Sequence, residues 1–222
     1  YGIAGNQLFR RTETGAAHTT FNGSGQVTVP FVPTQVAVGN DGVYVAGDGI
    51  SDGDPGWRLL RYTTLGLADP AFNTGSPVIT TFPADTGFTF MRGRVRSLLL
   101  ATGKPVLAGS ATFDDGSLTF PSDLAMARYT STGALDSTFS TDGMVTFSVS
   151  NEESVDAVEV DTSSRLVAAG TDIDGGRSVL FRVSDAGFLE STMGLSVFGA
   201  GVTRTVGLGI LPSDSLAVSY SA

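Results

Sequence analysis

The chain has 222 residues with 29 glycines and no cysteine, and its 13 basic residues stand against 22 acidic ones for a formal charge of -9. The lack of cysteine excludes disulfides, thiolate metal sites and cysteine nucleophiles, so stability rests on packing. The negative field opposes phosphate backbones and anionic bilayers, and no apolar run approaches the roughly 20 residues that span one, so neither nucleic-acid binding nor membrane insertion is expected.

From its first residue the chain repeats two boxes. YGIAG (Tyr1 to Gly5) is followed by LFRRTETGAAHTTF (Leu8 to Phe21), and VYVAG (Val43 to Gly47) by LLRYTTLGLADPAF (Leu59 to Phe72). PVLAG (Pro105 to Gly109) is followed by MARYTSTGALDSTF (Met126 to Phe139), LVAAG (Leu166 to Gly170) by LFRVSDAGFLESTM (Leu180 to Met193), and LAVSY (Leu216 to Tyr220) stands last. In the longer box the third residue is Arg10, Arg61, Arg128 or Arg182, and the eighth is Gly15, Gly66, Gly133 or Gly187. A constant order of boxes at unequal spacing means fixed strands joined by loops of variable length.

The first unit supplies strands over Gln7 to Thr12 and Gln26 to Phe31. The second supplies Gln35 to Gly39, Val43 to Gly47, Trp57 to Thr63 and Pro77 to Phe82, with β-branched residues recurring at period two. Asn40-Asp41-Gly42 reads as a hairpin turn between the first two of these, and Thr102-Gly103 and Thr162-Ser163-Ser164 take its place further on. After the third strand, T-x-x-G-x-x-D-x-x-F reads as a turn with Gly at the bend and an acid, Asp69, Asp136 or Glu190, accepting backbone N–H groups. His18, the only histidine, replaces that acid in the first unit; Ser76 stands where Gly25 and Gly143 stand; and the pattern fades around Met193. Strands over Thr203 to Leu211 and Leu216 to Ser221 follow.

Four-stranded antiparallel units in tandem predict an all-β protein: one β-propeller domain over 1–222, with repeats near 1–33, 34–93, 94–154 and 155–201 and a partial blade over 202–222. Two closures are open. The strands of 202–222 complete a blade with those of the first unit in a closed four-bladed ring, or the array is a segment of a larger propeller, as the start at Tyr1 in mid-unit suggests. In the ring, Tyr1 to Gly5 and Leu216 to Tyr220 compete for one place in a sheet.

The longer box resembles the delta-60 repeat of the DUF5122 β-propeller family, best at Ala127 to Phe139 with Gly143, well at Leu60 to Phe72 and Ala101 to Gly109, and weakly after Glu190. The resemblance covers nearly the whole chain. It implies a propeller in a large, secreted or cell-surface bacterial protein and carries over no catalytic residue.

Arg61 with Asp69, Arg128 with Asp136 and Arg182 with Glu190 form a pair eight residues apart in three units, with Arg10 opposite His18 in the first. A feature common to every unit is what a scaffold needs, so these pairs are expected to tie a turn or a neighbouring blade, Arg10 most weakly. The loops after the shorter box are acidic: Gly47 to Gly56, Ala111 to Ser117 and Thr171 to Gly176. Asp48, Asp52 and Asp54, then Asp172 and Asp174, alternate with glycine in a way that suits either Ca²⁺ or a plain solvated turn, and none completes an EF-hand pattern. Arg92, Arg94 and Arg96 alternate and are expected to pair with nearby acids; Trp57, the one tryptophan, is expected to pack at a rim or to stack on a sugar. With His18 at a turn position, a Ser-His-Asp triad is not expected. The function that follows is a non-enzymatic binding or structural module presenting variable loops to a protein or glycan. The alternative is a carboxylate-based lyase or glycoside hydrolase at one propeller face.

Overall fold

The computed structural model describes residues 1–49, 55–84, 86–114, 116, 120–190, 195–198, 201, 204–210 and 215–221. They form antiparallel sheets and no α-helix. The first sheet holds β1 (Gly2–Ala4), β2 (Gln7–Phe9) and β3 (Gln26–Thr28). The second is a meander of β4 (Pro33–Gly39), β5 (Gly42–Asp48), β6 (Trp57–Tyr62) and β7 (Val78–Thr80). The third repeats that order with β8 (Thr89–Ala101), β9 (Lys104–Asp114), β10 (Ser122–Arg128) and β11 (Met144–Phe147). The fourth follows with β12 (Glu153–Val160), β13 (Leu166–Asp172), β14 (Arg177–Val183) and β15 (Leu195–Phe198), and the fifth pairs β16 (Arg204–Ile210) with β17 (Leu216–Ser221). The first strands of successive sheets, β4, β8, β12 and β16, pack side by side in that order.

Of the two closures, the four-unit ring is not formed. Tyr1 to Gly5 and Leu216 to Tyr220 lie in different sheets, because β2 is already flanked by β1 and β3 and has no open side for β17. The turn at Asn40-Asp41 is a two-residue hairpin, as its pairing of Gly39 with Gly42 requires, although neither turn residue takes a positive φ. Ser76 is accommodated because the preceding residue takes over the bend: Gly75 has φ +80° and Ser76 is extended at -104°. The region of Met193 lies outside the described residues.

Period-two alternation in these strands separates two cores rather than core from solvent. On β5, Tyr44 and Ala46 join one cluster with Leu59, Phe72, Leu107 and Tyr129, between the second and third sheets. Val43 and Val45 face the other way, into a cluster with Leu8, Phe21 and Leu60 between the first and second. A third cluster, with Leu124, Met126, Phe139, Val155 and Phe181, fills the gap between the third and fourth. β5 and β6 are thus buried on both faces, which is why they read as nearly continuous apolar runs.

The first strands of the second to fifth sheets carry a bulge at the same place. The pairing slips by one residue at Thr34 on β4, Arg96 on β8, Asp156 on β12 and Val206 on β16. In three sheets the last glycine of the shorter box lies against the bulge: a Cβ on Gly47, Gly109 or Gly170 would stand 2.2, 1.8 or 2.3 Å from the carbonyl oxygen of Val32, Arg94 or Ser154. That close approach explains the glycine that ends VYVAG, PVLAG and LVAAG.

Candidate functional site

The longer box folds into a turn that is the same in each unit. In the second, Thr63 N–H bonds Leu67 O, Gly66 N–H bonds Thr63 O, Asp69 N–H bonds Arg61 O and Phe72 N–H bonds Asp69 O, and the first and third units repeat all four bonds. Gly66, Gly133 and Gly187 have φ of +81°, +91° and +83°, a conformation in which a Cβ is strained. They also meet the aromatic of the preceding unit: a Cβ there would touch Phe21, Phe72 and Phe139.

The arginine of the box spans two units. Arg61 Nε donates to Asp69 Oδ2 at 2.8 Å and Arg128 Nε to Asp136 Oδ2 at 2.7 Å, within the unit, and each guanidinium lies over its own Phe72 or Phe139 ring. The other arm crosses to the next unit, where Arg10, Arg61 and Arg128 donate from Nη1 to the carbonyls of Thr64, Ser131 and Asp185. These acceptors occupy the same position of three successive boxes. A backbone bond runs alongside, from Asn22, Asn73 and Ser140 N–H to Leu65, Thr132 and Ala186 O. Arg182 Nε reaches Glu190 at 3.1 Å. The first unit has no acid at the position of Asp69 and Asp136, and His18 there bonds Thr20 Oγ1 through Nδ1 at 2.8 Å.

These pairs are electrically demanding. Burial alone would raise the Asp136 carboxyl, but hydrogen bonds from Lys104 and Thr138 and the Arg128 charge hold it well below the usual carboxylate range. Asp161 and Asp172 are likewise held low against burial, by Arg165 and Ser163 for the first and by Ser150, Gly175 and Arg177 for the second. A depressed carboxyl contributes stability above its unfolded pKa near 4 and loses it as pH falls through the folded value. Thermal melts taken from about pH 6 down to about pH 2 should therefore show falling stability, with a shallower fall in Asp172→Asn. A flat profile would contradict the pairing.

The acidic loops divide. Asp172 is fully buried with both oxygens occupied, Oδ1 by Ser150 Oγ and Gly175 N–H and Oδ2 by the Arg177 guanidinium. It serves the turn, and Asp174 is exposed. Asp48 is half-buried, and Asp52 and Asp54 lie outside the described residues. No group of three potential metal ligands gathers among the described residues. Trp57 offers no face to a sugar: it is fully buried, edge-on to Phe82 at 4.7 Å, and received by Gly93, where a Cβ would lie 2.3 Å from the indole nitrogen. A groove of about 340 Å³ lies beside β11, lined chiefly by Met144, Phe147, Phe188 and Leu189.

No family model matches the chain, and no curated protein matches it. The functional reading therefore rests on the molecule's own geometry.

The arginine stripe departs from expectation. Among the described residues, the side chains of Arg92, Arg94 and Arg96 make no ion pair. Arg96 is the bulged residue of β8, Arg94 lies two residues before it, and Arg204 holds the position of Arg94 on β16. Between those strands, on β12, Ser154 stands in the place of Arg94 and Asp156 in the place of Arg96. Asp156 accepts from Thr171 Oγ1 at 2.7 Å and lies 3.5 Å from Arg204 Nε. Arg96 Nε is sealed from water without a partner. Burial, and then the Arg204 charge, push the Arg96 guanidinium below its usual range, against weaker support from Asp156 and Asp48. On β12, Glu153 is fully buried; it accepts the Val149 and Ser150 N–H groups through Oε1 and leaves Oε2 unpartnered. Desolvation raises both Glu153 and Asp156.

Sequence reasoning found Arg94 and Arg96 but missed Glu153, Asp156 and Arg204. Alignment on Gly109 and Gly170 leaves Asp156 one residue out of step with Arg96, which stands 13 residues before its glycine where Asp156 stands 14. It fails for Arg204 because Tyr220, not glycine, stands opposite the strand there.

Proposed function

We propose that the chain is a non-enzymatic binding or structural module, built as β-propeller blades of the delta-60 kind within a secreted or cell-surface bacterial protein. A constant framework presents variable loops to a protein or glycan partner. One observation carries the reading: the recurring charged residues are consumed in joining units. Arg61 and Arg128 each hold their own acid with one arm and the following unit's backbone with the other, so the repeated motif is spent on assembly. What varies between units, and is left for recognition, is the loops. The side-by-side order of β4, β8, β12 and β16 is the order of inner blade strands and supports the propeller.

The second reading, a carboxylate-based lyase or glycoside hydrolase, is favoured by Glu153 and Asp156, two acids on β12 that burial pushes up. A panel of glycans and esters, scored for both binding and turnover, separates the two. The binding reading expects retention of a ligand without product; turnover that disappears in Glu153→Gln or Asp156→Asn would replace it with the enzymatic one.

A further inference from the structure

We propose that Arg94 and Arg96 on β8 and Arg204 on β16, brought by the repeated bulge to one level on either side of β12, form a binding site for an oxyanion. The inference goes beyond the binding reading above and holds whether the chain is a binder or an enzyme.

The comparison between units carries it. At the level of the bulge the second sheet has Val32 and Thr34, and Thr34 Oγ1 simply donates to Val95 O on the next strand at 3.2 Å. The fourth sheet has Ser154 and Asp156. The fold is therefore built without arginine at these positions, in contrast to the motif arginines, which occur in four units and in three of them tie the unit to its neighbour. Arg94 and Arg204 are exposed, and Arg94 makes no side-chain bond among the described residues.

The local charge balance is the second support. Asp156 and Asp48 are the acids that act on Arg96, and one oxygen of Asp156 is already taken by Thr171. Among the charges that act most on Arg96, two carboxylates stand against the guanidinium groups of Arg204 and Arg94, to which Arg96 adds its own. Arg204 keeps Asp156 at 3.5 Å, while Arg94 and Arg96 have no ion-pair partner among the described residues; arginines left without one suit planar or tetrahedral oxyanions, because each fork offers several N–H donors in fixed geometry. A free inorganic ion and a sulfate carried on a sugar share that chemistry.

Titration calorimetry at low ionic strength, with chloride matched throughout, tests the site using inorganic sulfate and a monosaccharide sulfate. Saturable binding of inorganic sulfate assigns a free ion; markedly tighter binding of the sugar sulfate assigns a group on a larger ligand. In either case Arg94→Gln and Arg96→Gln should each weaken binding by about tenfold or more, the loss expected for a charge-assisted contact. With no anion present Arg96→Gln should melt higher than the parent, because repulsion among the arginines is relieved, and added sulfate should erase the difference. Absence of binding to both probes, or binding that both variants retain, overturns the proposal. Arg94→Gln alters an exposed side chain without bonds, so it keeps the test decisive if Arg96→Gln fails to fold.

Discussion

Gly109→Ala is expected to cost more stability than any other single methyl added to this chain, and to leave little folded protein. The new Cβ would lie 1.8 Å from the carbonyl oxygen of Arg94 and 2.9 Å from its carbonyl carbon, both backbone atoms with no rotamer to escape through. Relief requires β8 to move away from β9 by more than an ångström at Arg96, where the ladder already slips by one residue. That bulge also sets Val95 and Leu98 in the core against Trp57 and Phe113, so the displacement opens the packing between the second and third sheets. Overpacking against backbone falls in the class of substitutions costing more than about 4 kcal/mol, against a typical total of about 5–15 kcal/mol for a domain. Ser110→Ala, one residue along the same strand, should change stability by less than about 1 kcal/mol. Circular dichroism melts of the two variants decide the matter: near-equal midpoints would show that the bulge carbonyl does not press on the glycine.

Gly109 also shows what was legible in the sequence. The shorter box announced a strand, and hairpin chemistry at Asn40-Asp41-Gly42 placed its start in the second unit, so the four strands of that unit fell close to their observed bounds, whereas β9 runs on past Gly109 to Asp114. The reason for the glycine was hidden, because a bulge is a property of pairing and leaves no mark on one strand alone. The same limit applies to the arginines. Alternation at Arg92, Arg94 and Arg96 gave them a shared face, but the slip at Arg96 and the arrival of Arg204 from a strand far along the chain follow from the stacking of sheets. For Trp57 the sequence showed only its place next to an acidic loop; that it is fully buried follows from Gly93, from the next sheet, which makes the space it fills. The box pairs were readable because all their members lie within one fourteen-residue stretch. Their reach into the following unit was expected only in outline.

Arg128→Ala is expected to be the most damaging substitution among the motif arginines, and Arg10→Ala the least. Arg128 is 2% exposed and bonds Asp136 Oδ2, Thr138 Oγ1, Asp185 O and Asp185 Oδ1, so its removal takes one partner from Asp136, itself 4% exposed, and the arginine tie between the third unit and the fourth. Breaking a buried pair by deleting one partner costs about 3–5 kcal/mol. The lower end applies here, because Lys104 stays 2.8 Å from Asp136 and keeps the charge partly matched. About 3 kcal/mol in a chain of this size corresponds to a fall of about 6–12 °C in melting temperature. Arg10 has one bond to Thr64 O at 3.2 Å and no acid opposite, so Arg10→Ala should cost about 1 kcal/mol or less. A double-mutant cycle separates the two arms of Arg128. Coupling with Asp136→Ala reports the bond within the unit, and coupling with Asp185→Ala reports the side-chain bond to the next one. If units are held chiefly by the apolar clusters between sheets, the second coupling will be near zero although the first is large. A coupling of about 1 kcal/mol or more at Asp185 means that the motif arginine, and not packing alone, transmits order from one sheet to the next.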